Sequence, residues 1–233
     1  PYSKELAPFY GVKSAAGDIS LIKPSSPTIM FNRKPLPALG DAKGQNGSVY
    51  SIITNQNELN KVAEAAEANP AAVFVEVKPW FKKESNTLNV LVRGRASARL
   101  DRSRPVYLTI MMTQDRIKPR KQAGSMPAGF MQTNVLRYVD EGGFKGSEVT
   151  FDEKGNFNVV KDIPVKTTDA KSGTLPENQF LLEGDNKSVE DVMKEVNVIA
   201  FLHYYEQLPT NDNVVDNDQR LLKNEVLNAA QRR

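Results

Sequence analysis

The chain has 233 residues, of which 39% are hydrophobic and 25% are charged, and it contains no cysteine. This balance is typical of a globular protein with one large core or two modest ones, and no apolar run approaches the roughly 20 residues that span a bilayer. The absence of cysteine excludes disulfides, thiolate metal sites and thiol catalysis within these residues.

The net charge of +3 hides an uneven distribution of charged residues. Residues 82–121 include eleven basic and three acidic residues, whereas residues 122–233 include twelve basic and eighteen acidic residues. Such segregation bears on surface partners more than on the fold.

The first 70 residues mix helical and extended patterns. Tyr2, Leu6, Phe9 and Tyr10 recur near helical spacing and predict a short helix. Strands are predicted at 28–33 and 47–53 on either side of a connection rich in proline and glycine. A second helix is predicted from an N-cap at Asn55 to the Asn69-Pro70 step.

From Ala72 onward the pattern changes to strict alternation. Three successive segments, 73–77, 88–92 and 106–112, place aliphatic residues at every second position and predict an antiparallel meander. Residues 152–156 predict a hairpin turn, and residues 195–206 predict a central strand that is apolar on both faces. A closing strand is predicted at 224–230. The fold class predicted is mainly β: an antiparallel, immunoglobulin-like β-sandwich over residues 72–233, preceded by a partial α/β segment.

Three segments carry a resemblance to a known family: MQTNVLRYVDEGGFKG at 131–146, NVIAFLHYYE at 197–206 and EVLNAAQ at 225–231. Together they resemble the outer-membrane protein family of twenty-eight kilodaltons from Bacteroidota. The resemblance implies a thioredoxin-like region joined to a C-terminal β-sandwich, export to the outer membrane or cell surface as a lipoprotein, and a role in adhesion.

Residues 1–70 look like the second half of a thioredoxin fold, truncated or degenerate. In this comparison Pro27, in the stretch SSPTIMFNR, stands where that fold has its cis-proline, and the alternative is an ordinary turn before a strand. The missing half would leave an open sheet edge, to be covered by upstream residues or by a second copy of the chain.

The basic segment suggests one binding surface. If Leu88, Val90 and Val92 face the core, then Arg93, Arg95 and Arg99 form a positive stripe on the opposite face of one strand. Such a stripe could bind a polyanionic glycan, and the alternative is a solvated outer face. The segment lacks the stacking aromatics that accompany nucleic-acid binding, so no nucleic-acid partner is expected.

Other chemistry is weakly indicated. His203 is the single histidine and lies in the most apolar strand, where a packing role or an outward-facing ring is expected. Asp212, Asp216 and Asp218 could bind calcium or could belong to a solvated loop. No catalytic, cofactor-binding or metal-binding residue is predicted.

The leading functional hypothesis is a non-enzymatic protein of the bacterial outer membrane or surface that mediates adhesion to a host or bacterial protein or glycan. Peripheral attachment through an N-terminal lipid would hold it there. A thiol-redox protein with cysteines upstream of residue 1, and a polyanionic-glycan-binding module, are the alternatives.

Overall fold

The computed structural model describes eight stretches of the chain. These are residues 11–13, 19–21, 56–68, 70–118, 129–169, 178–182, 188–205 and 226–232. The predictions for residues 1–10, Pro27, 28–33 and 47–53, and the aspartates at 212–218, lie outside the described residues.

The described residues of the N-terminal part form two short strands and one helix. Strands β1 (Gly11–Lys13) and β2 (Ile19–Leu21) pair antiparallel, a hairpin that the sequence pattern did not predict. Helix α1 (Gln56–Glu67) confirms the second predicted helix. The Ala68 amide donates to Glu64 O and extends the last turn. The helix ends before Pro70, because proline has no amide hydrogen to donate to a helix carbonyl group.

Sheet one has three antiparallel strands in the order β3-β4-β8. These are β3 (Val73–Lys82), β4 (Thr87–Ala96) and β8 (Asn156–Pro164). A single turn of 3₁₀ helix, Lys83–Ser85, joins the first two, and Asn86 adopts a left-handed conformation to close the turn.

Sheet two has five strands in the order β12-β11-β5-β6, with β7 also paired to β5. They are β5 (Val106–Gln114), β6 (Val135–Val139), β7 (Ser147–Glu148), β11 (Val196–Tyr204) and β12 (Val226–Arg232). Strands β3, β4 and β8 correspond to strands A, B and E of an immunoglobulin-like sandwich, and β12, β11, β5 and β6 correspond to its strands G, F, C and C′. This arrangement confirms the predicted fold class. The strand β11 is central, as its two apolar faces predicted.

The predicted three-strand meander is wrong in its last step. Strands β3 and β4 pair, but β5 pairs with β11, so the chain crosses to the other sheet between β4 and β5. The crossing lets the inner face of β5 cover the inner face of β4, since alternating strands need a second layer to bury their apolar side.

The hairpin predicted at 152–156 is half right. Gly155 adopts a left-handed conformation, with φ of 80°, and its amide donates to Asp152 O at 2.9 Å. The two arms then separate, because β7 pairs with β5 in sheet two and β8 pairs with β4 in sheet one. The turn is therefore a connection between the sheets.

The core lies between the inner faces of the two sheets. Its fully buried side chains come from alternate positions of β3, β4, β5 and β11, including Val73, Val90, Val92, Ile110, Met112 and Leu202. Burial of each such side chain contributes about 1.5–3 kcal/mol to the free energy of folding.

One end of the sandwich is closed by a segment that contains β10 (Phe180–Leu181), paired in parallel with β9 (Thr167–Thr168). The buried amide of Gln114 donates to Leu181 O and accepts from Leu181 N, both at 2.8 Å. Arg137 donates to Gln179 O at 2.8 Å. Helix α2 (Val189–Met193), capped by Ser188, leads from this end into β11.

Candidate functional site

The opposite end of the sandwich gathers several loops. Strand register places Val73 beside Ala96, Arg95 beside Asn156, and Tyr204 beside Val106. Three connections therefore meet there: residues 70–72 before β3, residues 97–105 between β4 and β5, and the turn at 152–155 before β8. We call this the loop end, and we call residues 97–105 the β4–β5 loop.

A cleft of about 580 Å³ opens at the loop end. Four of the residues that line it are small, namely Ala71, Ala96, Ser97 and Ala98. The larger lining residues are Phe74, Arg95 and Asn228. The volume falls within the roughly 300–1,000 Å³ of ordinary small-ligand clefts.

Phe74 is the most exposed large hydrophobic residue of the described chain, with 64% of its surface accessible. Its neighbours Val73 and Val75 occupy the inner face of β3 and are buried, so strand alternation directs Phe74 outward. Arg95 lies directly opposite it on β4. Directly opposed residues have Cβ atoms about 4.5–5.5 Å apart, so one ligand can contact both side chains.

Arg95 differs from its neighbour Arg93, although both are exposed on the outer face of β4. The Arg93 Nε atom lies 2.7 Å from Glu76 Oε2, and Lys78 Nζ lies 3.2 Å from the other oxygen of the same carboxylate. Hydrogen bonds from Arg93, and then Lys78, hold the pKa of Glu76 below its usual value. Arg95 forms no ion pair with any described residue, so its charge remains available.

Arg99 does not lie on the strand that the sequence analysis assigned to it. Strand β4 ends at Ala96, and the Ser97 amide donates to Ala72 O at 2.9 Å, which turns the chain into the β4–β5 loop. The Arg99 amide donates to Ser97 Oγ at 3.2 Å. The predicted stripe therefore consists of two strand residues, one of them neutralised by Glu76, and one loop residue.

The β4–β5 loop is held in place by bonds to the sandwich. Leu100 is buried, and the Asp101 amide donates to the Tyr204 hydroxyl at 3.1 Å. The Arg104 guanidinium lies 3.8 Å from the centre of the Tyr204 ring. Arg99 and Arg102, both exposed, extend from a loop whose backbone is thus fixed.

The acidic groups of the loop end are bonded within their own turns. Asp101 Oδ1 accepts from the Ser103 hydroxyl at 2.6 Å and from the Ser103 amide at 3.0 Å, and these bonds lower the pKa of Asp101. Asp152 Oδ1 accepts from the Asn156 amide at 2.7 Å, and the backbone and side-chain bonds from Asn156 lower the pKa of Asp152. Neither carboxylate forms an ion pair with a described arginine, although the charge of Arg104 contributes to the lowered pKa of Asp101. The third acidic residue of the loop end, Glu153, is exposed.

Asn228 shapes the cleft through two hydrogen bonds of its side chain to the backbone. Its Nδ2 donates to Val73 O and its Oδ1 accepts from the Ala229 amide, both at 2.8 Å. The first bond ties β12 of sheet two to β3 of sheet one. Sequence reasoning missed both Phe74 and Asn228, although the outward register of Phe74 could be read from the alternation that made Val73 and Val75 core residues.

His203 lies away from this end's surface and is fully buried. Its Nδ1 lies 3.0 Å from Tyr204 O and its Nε2 lies 3.0 Å from Thr109 Oγ1. Because a carbonyl oxygen can only accept, Nδ1 carries a proton, and in the neutral ring Nε2 accepts from the threonine hydroxyl. The packing role expected for His203 fits this placement.

Within the described stretches, no group of three or more His, Asp or Glu residues is placed to hold a metal ion. None of the helices that the structure describes is long and apolar enough to cross a membrane.

Comparison with known proteins gives a fold-level likeness. The structure is similar to HBP35 of Porphyromonas gingivalis, a member of the Bacteroidota, with a TM-score of 0.57 and 18% sequence identity. The match covers 90% of this chain and 52% of that one, so this chain spans about half the length of its structural neighbour. No family model and no curated protein matches the sequence.

Proposed function

We propose that this protein is a non-enzymatic binding protein of a bacterial cell surface, and that it recognises its partner with the loop end of the sandwich. The observation that carries the proposal is the position of an exposed aromatic ring, Phe74, beside Arg95, a cation that forms no ion pair with any described residue, at the mouth of a cleft. An exposed ring of this size is unfavourable in water, and its cost is recovered when a partner covers it.

The architecture supports a binding role for this end. Immunoglobulin-like sandwiches commonly place recognition residues on loops clustered at one end, where a rigid pair of sheets fixes their positions. Here the β4–β5 loop is fixed in the same way by Tyr204 and Ala72. The resemblance of segments 131–146, 197–206 and 225–231 to a Bacteroidota outer-membrane family supports the envelope location, and HBP35, whose fold is similar, comes from an organism of the same phylum.

Binding to intact cells tests the role. The wild-type protein and a Phe74→Ala/Arg95→Ala double variant would be coupled to fluorescent beads, and bead retention on bacterial and epithelial cells would be counted by flow cytometry. We expect at least a tenfold loss of retention for the double variant, because both anchoring side chains are gone. Arg93→Ala is the matched control, since that arginine lies on the same strand but is already paired with Glu76.

Two outcomes would contradict the proposal. One is the absence of retention for the wild-type beads on either cell type. The other is equal retention for the wild type and the double variant. Protease treatment of intact source bacteria tests the location separately, because a surface protein is degraded while an internal one survives.

A further inference from the structure

The chemistry of the loop end also indicates which class of partner it takes. We propose that the cleft binds a sulfated oligosaccharide, with a sugar ring against Phe74 and a sulfate group on the Arg95 guanidinium. This inference rests on the proposed function and adds the ligand class to it.

The charges of the loop end favour an anion with several groups. Arg95, Arg99 and Arg102 are exposed and form no ion pair with any described residue. The loop end also carries three acidic residues, Asp101, Asp152 and Glu153, but its basic residues outnumber them: Arg95, Arg99, Arg102, Arg104 and Lys154. Guanidinium groups bind sulfate oxygens through two parallel hydrogen bonds, and three arginines match a chain that carries more than one sulfate.

The single aromatic ring favours a saccharide over a nucleic acid. The C–H face of a pyranose is flat and weakly apolar, so one ring of a sugar chain can cover Phe74 while its substituents stay in water. Single-stranded nucleic acids are bound by several aromatic side chains that stack on successive bases. Phe74 is the only aromatic residue among those that line the cleft.

Part of the backbone at the cleft is already engaged, which leaves recognition there to the side chains of Arg95 and Phe74. A peptide that adds to a sheet needs unpaired amide and carbonyl groups along a strand. Here Val73 O accepts from Asn228 Nδ2, Ala72 O accepts from the Ser97 amide, and the Ala96 amide donates to Gly155 O at 2.8 Å. These bonds occupy the backbone at three positions beside the cleft. Strand β3 pairs with β4 alone among the described strands, so an extended peptide at its outer edge is the competing outcome that polyglutamate tests.

Titration calorimetry with a size-defined heparin hexasaccharide tests the proposal. We expect Arg95→Ala to weaken binding at least tenfold, because it removes the bidentate sulfate contact. Phe74→Ala should weaken it by about tenfold and Phe74→Trp should preserve it, since tryptophan keeps the flat ring. The matched control Arg93→Ala should stay within twofold of the wild type.

Salt dependence supplies a second readout. The plot of log affinity against log salt concentration should lose about one unit of slope for each of Arg95, Arg99 and Arg102 changed to Ala, by release of condensed counterions. All these residues are exposed, so thermal unfolding should show that every variant folds.

Several results would overturn the inference. The first is that the wild type does not bind the hexasaccharide. The second is that the wild type and Phe74→Ala bind it with equal affinity. The third is that the wild type binds hyaluronan oligosaccharides or polyglutamate of matched charge as tightly as it binds the hexasaccharide. If the wild type ignores the hexasaccharide while bead retention on cells still depends on Phe74 and Arg95, the inference fails and the proposed function stands. Loss of cell retention as well would remove both.

Discussion

At the scale of single residues, Gly94 decides how closely the strands near the cleft can approach. A Cβ atom at this position would lie 2.0 Å from Phe74 O and 2.5 Å from Phe157 Cε1. The missing side chain therefore allows the Phe157 ring, which is buried, to pack against β4. Glycine inside a strand commonly marks such an approach.

Gly94→Ala should destabilise the protein by about 1–3 kcal/mol, because the added methyl group must displace a backbone carbonyl and a packed ring. The free energy of unfolding, measured by chemical denaturation, checks this. Arg95→Ala is the control at the adjacent exposed position and should stay within about 0.5 kcal/mol of the wild type. A Gly94→Ala variant as stable as the wild type would show that β3 and β8 adjust freely.

The sequence allowed part of the site to be anticipated at this scale. It placed Arg93 and Arg95 on the outer face of one strand, and the structure agrees. It could not distinguish them, because Glu76, which neutralises Arg93, is seventeen positions away and meets it only through strand register. The neighbourhood of Phe74 and Arg95 depends on the same register.

At the scale of elements, β8 pairs only with β4 among the described strands, and so forms an edge of sheet one. Lys161 points toward the interior from this edge, between the inward-facing Val159 and Ile163. Its Nζ lies 3.2 Å from Asp140 Oδ2 and 3.0 Å from Glu141 Oε1, across the gap between the sheets. An inward charge on an edge strand discourages pairing with other chains.

Lys161→Met should cost about 1–2 kcal/mol, because it leaves the buried Asp140 carboxylate without its cation. Burial lowers the pKa of Lys161, but bonds to Glu141 and Asp140 outweigh it and hold the pKa above its usual value. A lysine whose pKa is raised in the folded state stabilises the fold fully at pH values below the ordinary lysine pKa of about 10.4. This contribution disappears as the pH rises through the pKa of the folded state.

The difference in unfolding free energy between wild type and Lys161→Met should therefore be constant at neutral pH and shrink in strong alkali. Lys78→Met is the matched control: that lysine pairs with Glu76 on the exposed face and should contribute little at any pH. A difference that stays constant into strong alkali would mean that Lys161 acts by packing alone.

At the scale of the whole molecule, the two ends of the sandwich differ in structure. One end is sealed by the segment around β10, whose Phe180 and Leu181 are buried, and the other presents the cleft. Gln114 holds the sealing segment through two bonds to the backbone of Leu181.

Gln114→Leu should lower the free energy of unfolding by about 2–4 kcal/mol, since the Leu181 amide and carbonyl would both be buried without partners. Gln231→Leu, an exposed glutamine on β12, is the control and should change stability by less than about 0.5 kcal/mol. Hydrogen exchange of the Leu181 amide would report the loosened segment directly, and unchanged protection would contradict the assignment.

The sequence was most informative about elements and least informative about their pairing. The N-cap and the Asn-Pro step predicted α1, and the doubly apolar run predicted the central β11. The crossing between β4 and β5 was missed because adjacent strands in the sequence pair by default, and only the need to cover the inner faces with a second sheet reverses that default. The crossing also determines which loops meet at each end of the sandwich. The sequence therefore did not predict the cleft.

The contact between Ala72 and Ser97 bears on where the sandwich can be cut from the rest of the chain. Alternation begins at Val73, which makes that residue the natural starting point for an isolated domain. Such a truncation would discard Ala71 from the lining and leave the Ser97 amide without its acceptor. A recombinant sandwich intended to retain the cleft should therefore begin before Pro70.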